Sequence, residues 1–135
     1  MNVADLQSLY AAHAGAKGLL KVLKDESLKN VFLEGLLGSS APLLLSNLLN
    51  WELPRHCFIF ILNDIEEAGY FYHDLTQVCG ETHVLFFPSS FRRAIKYGQR
   101  DDANEILRTE VLSSLTTTSS SNPLIVVTYP EAIAE

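Results

Sequence analysis

Apolar residues fall at Val3, Leu6, Leu9 and Tyr10, and again at Leu19, Leu20, Val22 and Leu23. This helical spacing, interrupted near Gly15, predicts two short helices between Asn2 and about Lys24. Further along, short continuous apolar runs take over. NVFLEG (30–35), CFIFIL (57–62), HVLFF (83–87) and LIVVTY (124–129) show little polar alternation, which suits strands buried on both faces of a parallel sheet. Helical patterns lie between them. Ser39 or Ser40 can cap a helix with Pro42 in its first turn, and Leu43, Leu44, Leu45, Leu48 and Leu49 on several of its sides predict that it is largely enclosed. Asp64 and Glu67 make a capping-box-like start to a helix through Ile65, Ala68, Phe71, Leu75 and Val78 that ends at Gly80. Asp101 or Asp102 opens another, with Ala103, Ile106, Leu107, Val111 and Leu115 on one face, and PEAIAE begins a last one. Ser89 to Arg100 has no clear period and reads as a loop or irregular helix, and Thr116 to Asn122 is a polar connection.

Four alternations of strand and helix predict one α/β domain: a parallel sheet of about four strands with helices on both faces and right-handed crossovers. Residues 1–28 form an N-terminal helical segment, and 29–135 the sheet and its crossover helices.

The 135 residues suit one domain, and the apolar runs fall short of the roughly 20 residues needed to span a bilayer. No membrane partner is expected. MNVADLQSLY carries an acid and no basic region ahead of an apolar run, unlike a secretion signal, which predicts a cytoplasmic setting. Cys57 and Cys79 read as buried reduced thiols. The net charge of −6 argues against an electrostatic grip on nucleic acid by the chain as a whole. Arg92, Arg93, Lys96 and Arg100, interleaved with Tyr97, form the one basic cluster picked out, diluted by Asp101 and Asp102. DNA contact, contact with another domain and a solvated loop are the three readings of that cluster. On the helix after the second strand, Phe71 belongs to the core, whereas Tyr70 and His73 face outward. The four histidines show no metal-ligand spacing with the cysteines, and no G-x-S-x-G elbow anchors a hydrolase triad.

The glycines of "VFLEGLLGSSAPLLL" carry the most chemistry. A phosphate loop, G-x-x-x-x-G-K-[ST], needs glycines so that backbone N–H groups can surround the phosphates, a lysine for the β and γ phosphates, and a hydroxyl for magnesium. Aligned on Gly35, that frame spans Gly38 and Ser39, then puts Ser40 at the second glycine, Ala41 at the lysine and Pro42 at the hydroxyl. Ala41 offers no charge, and Pro42 neither a hydroxyl nor an N–H. What is left is the partial charge of a helix N-terminus, worth about 0.3–1 kcal/mol to an anion. Neither catalysis nor a bound cofactor is expected. The plainer alternative is that Gly35 and Gly38 merely serve a tight strand-to-helix turn.

"FLEGLLGSSAPLLLSNLL", "FIFILNDIEEAGYFYHDL", "VLFFPSSFRRAIKYGQRDDANEILRTEVLSSL" and "LIVVTYPEAIAE" together resemble, in their order and across nearly the whole chain, the extreme N-terminus of the bacterial transcription-repair coupling factor (Mfd) family. The specific marks are the degenerate loop, Asp74 and Leu75, Phe87 and Pro88, the Arg108, Glu110 and Leu112 helix, and the VVT strand. The resemblance implies a degenerate P-loop NTPase, helicase-like fold similar to the first domain of UvrB, with no ATPase activity of its own. It also implies that the chain is a fragment of an ATP-dependent DNA translocase that releases stalled RNA polymerase at lesions and recruits nucleotide excision repair. The partners implied are the parent's other domains, RNA polymerase, UvrA and DNA, and Arg108 joins the basic segment as a candidate DNA or interdomain contact. A stand-alone α/β nucleotide-binding or DNA-contacting domain is the alternative.

Overall fold

A computed structural model describes residues 1–91, 101–117 and 122–135. The elements in chain order are α1 (Val3–Ala12), α2 (Ala14–Lys24), α3 (Ser40–Leu45), a 3-10 turn (Ser46–Leu49), β1 (Cys57–Ile61), α4 (Ile65–Cys79), β2 (Val84–Phe86), α5 (Asp102–Thr117), β3 (Leu124–Thr128) and α6 (Pro130–Ile133). The fold is α/β: three parallel strands in the order β1-β3-β2 make a small open sheet flanked by helices.

β3 is central, and all five of its residues are buried. Because successive side chains in a strand point to opposite faces, it supplies two cores. Ile125 and Val127 pack with Ala68 and Leu75 of α4, while Leu124 and Val126 pack with Val111 of α5. The helices therefore cover opposite faces of β3, which accounts for its continuous apolar pattern; β1 is not buried on both faces as expected, since Ile59 and Ile61 are exposed.

α4 starts and stops as its sequence dictates. The Asp64 carboxylate accepts from the Glu67 N–H at 2.9 Å, and Gly80 closes the helix at φ +77°. Glu67 reaches back one residue further than a capping box requires and accepts from the Asn63 backbone at 3.2 Å and from its side chain at 2.7 Å. The N-terminal pair of helices breaks at His13 rather than at Gly15, since the His13 Nδ1 accepts the Gly15 N–H at 3.0 Å and so caps α2. Ala16 and Leu19 then pack against Leu44, which joins α2 to α3.

Two expectations fail. Asn30–Gly35 is not a strand, so the sheet has three strands and not four. A strand exists only by pairing, and this segment lies against no sheet edge; Phe32 is 85% exposed. The helix expected to run through Leu49 stops at Leu45. There the Ser46 hydroxyl and the Asn47 amide donate to the carbonyls of Leu43 and Leu44 at 2.8–3.2 Å, which takes the acceptors a further α-helical turn would need.

α5 is also rotated from the face read in the sequence. Val111 is buried, but Ile106 is 68% exposed, and the polar Asn104 and Arg108 turn inward instead.

Candidate functional site

The turn from Gly35 to Pro42 is held by its own hydrogen bonds. Gly35 and Gly38 have φ of +84° and +53°, with open space where a Cβ would be, so backbone conformation rather than crowding calls for glycine at both. The Ser40 hydroxyl accepts from the Leu37 N–H at 2.7 Å and donates to the Leu37 carbonyl at 2.7 Å. Ser39 makes no side-chain cap on α3; its hydroxyl donates to the Asp74 carboxylate at 2.7 Å. Ala41 is half-buried and Pro42 buried.

These contacts decide the loop's chemistry. A hydroxyl and an N–H that could meet an anion already serve one another, and a second hydroxyl is taken by a carboxylate. The adjoining cleft, of about 530 Å³, is lined by that carboxylate, Asp74, and by Glu67, together with Pro42 and Phe71. Two acids beside the turn oppose a polyphosphate. α3 has only six residues, so few aligned peptides stand behind its N-terminus.

In open α/β sheets, ligands favour the crevice outside the carboxyl ends of the strands. Here the stretch after β2 is closed from within. The Phe87 carbonyl accepts from the Thr128 hydroxyl at 2.8 Å, and the Ser89 N–H donates to the Tyr129 hydroxyl at 2.9 Å. Asn104 donates to the Ser89 carbonyl at 2.9 Å. Arg108 Nη1 donates to the carbonyls of Pro88 at 2.8 Å and Ala132 at 2.9 Å, and the guanidinium carbon stands 4.2 Å from the centre of the Phe87 ring. The Glu135 carboxylate accepts from the hydroxyls of Ser89 and Ser90 and from the Ser90 N–H, and lies 3.5 Å from Arg108. Burial works against the charge on Glu135, but the Ser89 and Ser90 hydrogen bonds and the Arg108 charge outweigh it and hold its carboxyl below the usual range.

The candidate residues thus divide. Gly35, Gly38, Ser39, Ser40, Ala41 and Pro42 come together as a turn. Arg108 is a clamp between α5, the end of β2 and α6, its side chain only 20% exposed. Arg92, Arg93, Lys96, Tyr97 and Arg100 lie outside the described residues. Cys57 and Cys79 are free and half-buried; burial pushes the Cys57 thiol up and takes Cys79 to about 11, against a weaker hydrogen bond to the Ser46 carbonyl, so neither is poised as a nucleophile. Phe71 packs on Phe60 at 5.3 Å, while Tyr70 and His73 face solvent.

A second basic cluster escaped the sequence reading. Lys17, Lys21 and Lys24 are all exposed on α2; their i, i+4, i+7 spacing was the available signal, obscured by attention to the apolar side of the same helix. Among the described residues, no group of three or more His, Cys, Asp or Glu could hold a metal ion, and no helix is long and apolar enough to cross a membrane.

Comparison of the chain with protein-family models, with curated proteins and with solved structures finds no match in any of the three.

Proposed function

We propose that the chain is a non-catalytic, UvrB-like module of the transcription-repair coupling factor family, with a helicase-like fold whose phosphate loop survives as shape alone. The observation that carries this reading is the self-satisfied turn: Leu37 and Ser40 bond to each other, Ser39 bonds to Asp74, and Ala41 and Pro42 stand where a lysine and a hydroxyl would be. Such a loop has no lysine for a triphosphate, and both of its serine hydroxyls are engaged elsewhere. The order of sequence blocks supplies the family, and with it the parent's work of releasing stalled RNA polymerase at lesions and recruiting excision repair.

A scaffold needs surfaces for its neighbours, and the sheet offers one. Leu124 N–H donates to His56 O, and Leu62 N–H to Thr128 O, so the even-numbered residues of β1 bond to β3 while Cys57, Ile59 and Ile61 direct their backbone groups to the open edge. Ile59 and Ile61 are also 56% and 59% exposed. An uncharged, apolar, unpaired edge is what natural sheets normally protect, which suits burial against another domain of the parent.

The test is calorimetry with ATP and magnesium at millimolar concentration, on the wild type and on Ala41→Lys. Neither should give saturable heat, since restoring the cation leaves both serine hydroxyls engaged and the Asp74 and Glu67 carboxylates in place. Saturable binding with turnover by the wild type would refute the non-catalytic reading. Helicase motifs encoded downstream in the same reading frame are expected; a frame without them would refute the family while leaving the loop chemistry intact.

A further inference from the structure

α2 presents Lys17, Lys21 and Lys24 to solvent along one side, on a chain whose overall charge is −6. At about 100° per residue these positions fall within roughly 60° of arc, and at 1.5 Å per residue they span about 10 Å. The helix holds no acidic residue, and none of the three ammonium groups makes an ion pair or hydrogen bond among the described residues. The opposite side, through Ala16 and Leu19, is committed to Leu44, so α2 and its lysines are fixed in direction.

Gly18 adds an independent observation. It lies mid-helix, exposed, with nothing within 4 Å of the place its Cβ would occupy. A glycine there costs about 0.5–1 kcal/mol relative to alanine, and no packing within the chain requires it. Absence of a side chain beside a charged stripe allows close approach by something outside.

We propose that this face of α2 is a contact surface for the phosphate backbone of a nucleic acid. Each exposed ammonium can neutralise one phosphate of a duplex, so the stripe can meet about three of them. A lipid surface fits less well, since a helix that lies on a membrane needs its apolar face free, and that of α2 is buried in the fold. A protein partner fits less well too, because the stripe is without the large apolar side chains that form an interface core. The inference stands independently of the coupling-factor reading, which concerns the loop and the family.

Fluorescence polarisation of a labelled 20-base-pair duplex against the 135-residue protein tests it. Three neutralised phosphates give a salt slope of about −2.7, so affinity should fall about 40-fold between 50 and 200 mM salt. Lys17→Gln, Lys21→Gln and Lys24→Gln together should weaken binding at 50 mM at least tenfold and flatten the slope, with the circular dichroism spectrum unchanged. Arg92→Gln with Arg93→Gln should leave the slope due to the α2 lysines in place. Gly18→Leu should weaken binding severalfold while the protein melts at the same or a higher temperature. Equal binding by wild type and the triple variant overturns the proposal. So does binding that prefers phosphatidylserine vesicles to the duplex, or a Gly18→Leu variant that binds as the wild type does.

Discussion

Replacing Arg108 by glutamine should unsettle the carboxyl end of the sheet more than any other single polar substitution here. The guanidinium holds two backbone carbonyls, at 2.8 and 2.9 Å, covers the Phe87 ring at 4.2 Å and stands 3.5 Å from Glu135. A hydrogen bond from a charged donor contributes about 1.5–3 kcal/mol, a partly desolvated cation–π contact about 1 kcal/mol, and a long ion pair that keeps some contact with water about 0–1 kcal/mol. These are not additive, because one side chain makes all of them and glutamine can retain one of the hydrogen bonds. A net loss of about 3 kcal/mol is expected, a large share of the 5–15 kcal/mol that holds a typical domain together. Urea unfolding followed by circular dichroism measures it as a lower midpoint at unchanged slope. Arg108→Lys should recover less than half, since a single ammonium cannot meet both carbonyls in the guanidinium's planar geometry. A double-mutant cycle with Glu135→Gln should give a coupling of about 1 kcal/mol or less, since the carbonyls and not the carboxylate dominate. A loss under 0.5 kcal/mol for Arg108→Gln would refute the clamp and return Arg108 to the pool of free surface cations.

Glu135 should set part of the acid limb of stability. Its carboxyl is held below the ordinary 4.5, so its contribution is fully present above that value and is lost as pH falls through the lower folded value; Glu135→Gln should flatten the unfolding midpoint between about pH 5 and pH 3, and an unchanged acid limb would refute the assignment. Cys79, pushed to about 11 by burial, should react with a thiol reagent at pH 8 far more slowly than a free cysteine and at the ordinary rate once urea unfolds the protein; fast reaction in the native state would contradict its burial. Asn47→Ala removes donors to two carbonyls at the end of α3 and should cost about 1–2 kcal/mol in the same urea assay, against none if water replaces the amide without loss.

Much of the fold was legible because it depends on local rules. CFIFIL, HVLFF and LIVVTY are uninterrupted apolar runs, and α4 carries both a cap at Asp64 and a glycine stop at Gly80. The failures share a cause, which is that periodicity reports how apolar a segment is and not what lies next to it. NVFLEG has the composition of a strand but no partner edge. α5 has an apolar stripe, yet Asn104 and Arg108 turn inward because the chain after β2 offers carbonyls there, an attraction invisible in the helix's own sequence. That Ala41 and Pro42 offer neither a cation nor a hydroxyl was legible in the sequence, whereas the bond from Ser39 to Asp74, 35 residues away, was not.

That closure bears on what the fold can still do. In a working nucleotide site, a turn is kept open by donors that wait for a ligand, and the unsatisfied groups cost stability until it arrives. Here every buried side-chain nitrogen and oxygen among the described residues has a partner, and the crevice beyond β2 is filled by Arg108 and Glu135. What the chain leaves exposed are the backbone edge of β1 with Ile59 and Ile61, and the lysines of α2.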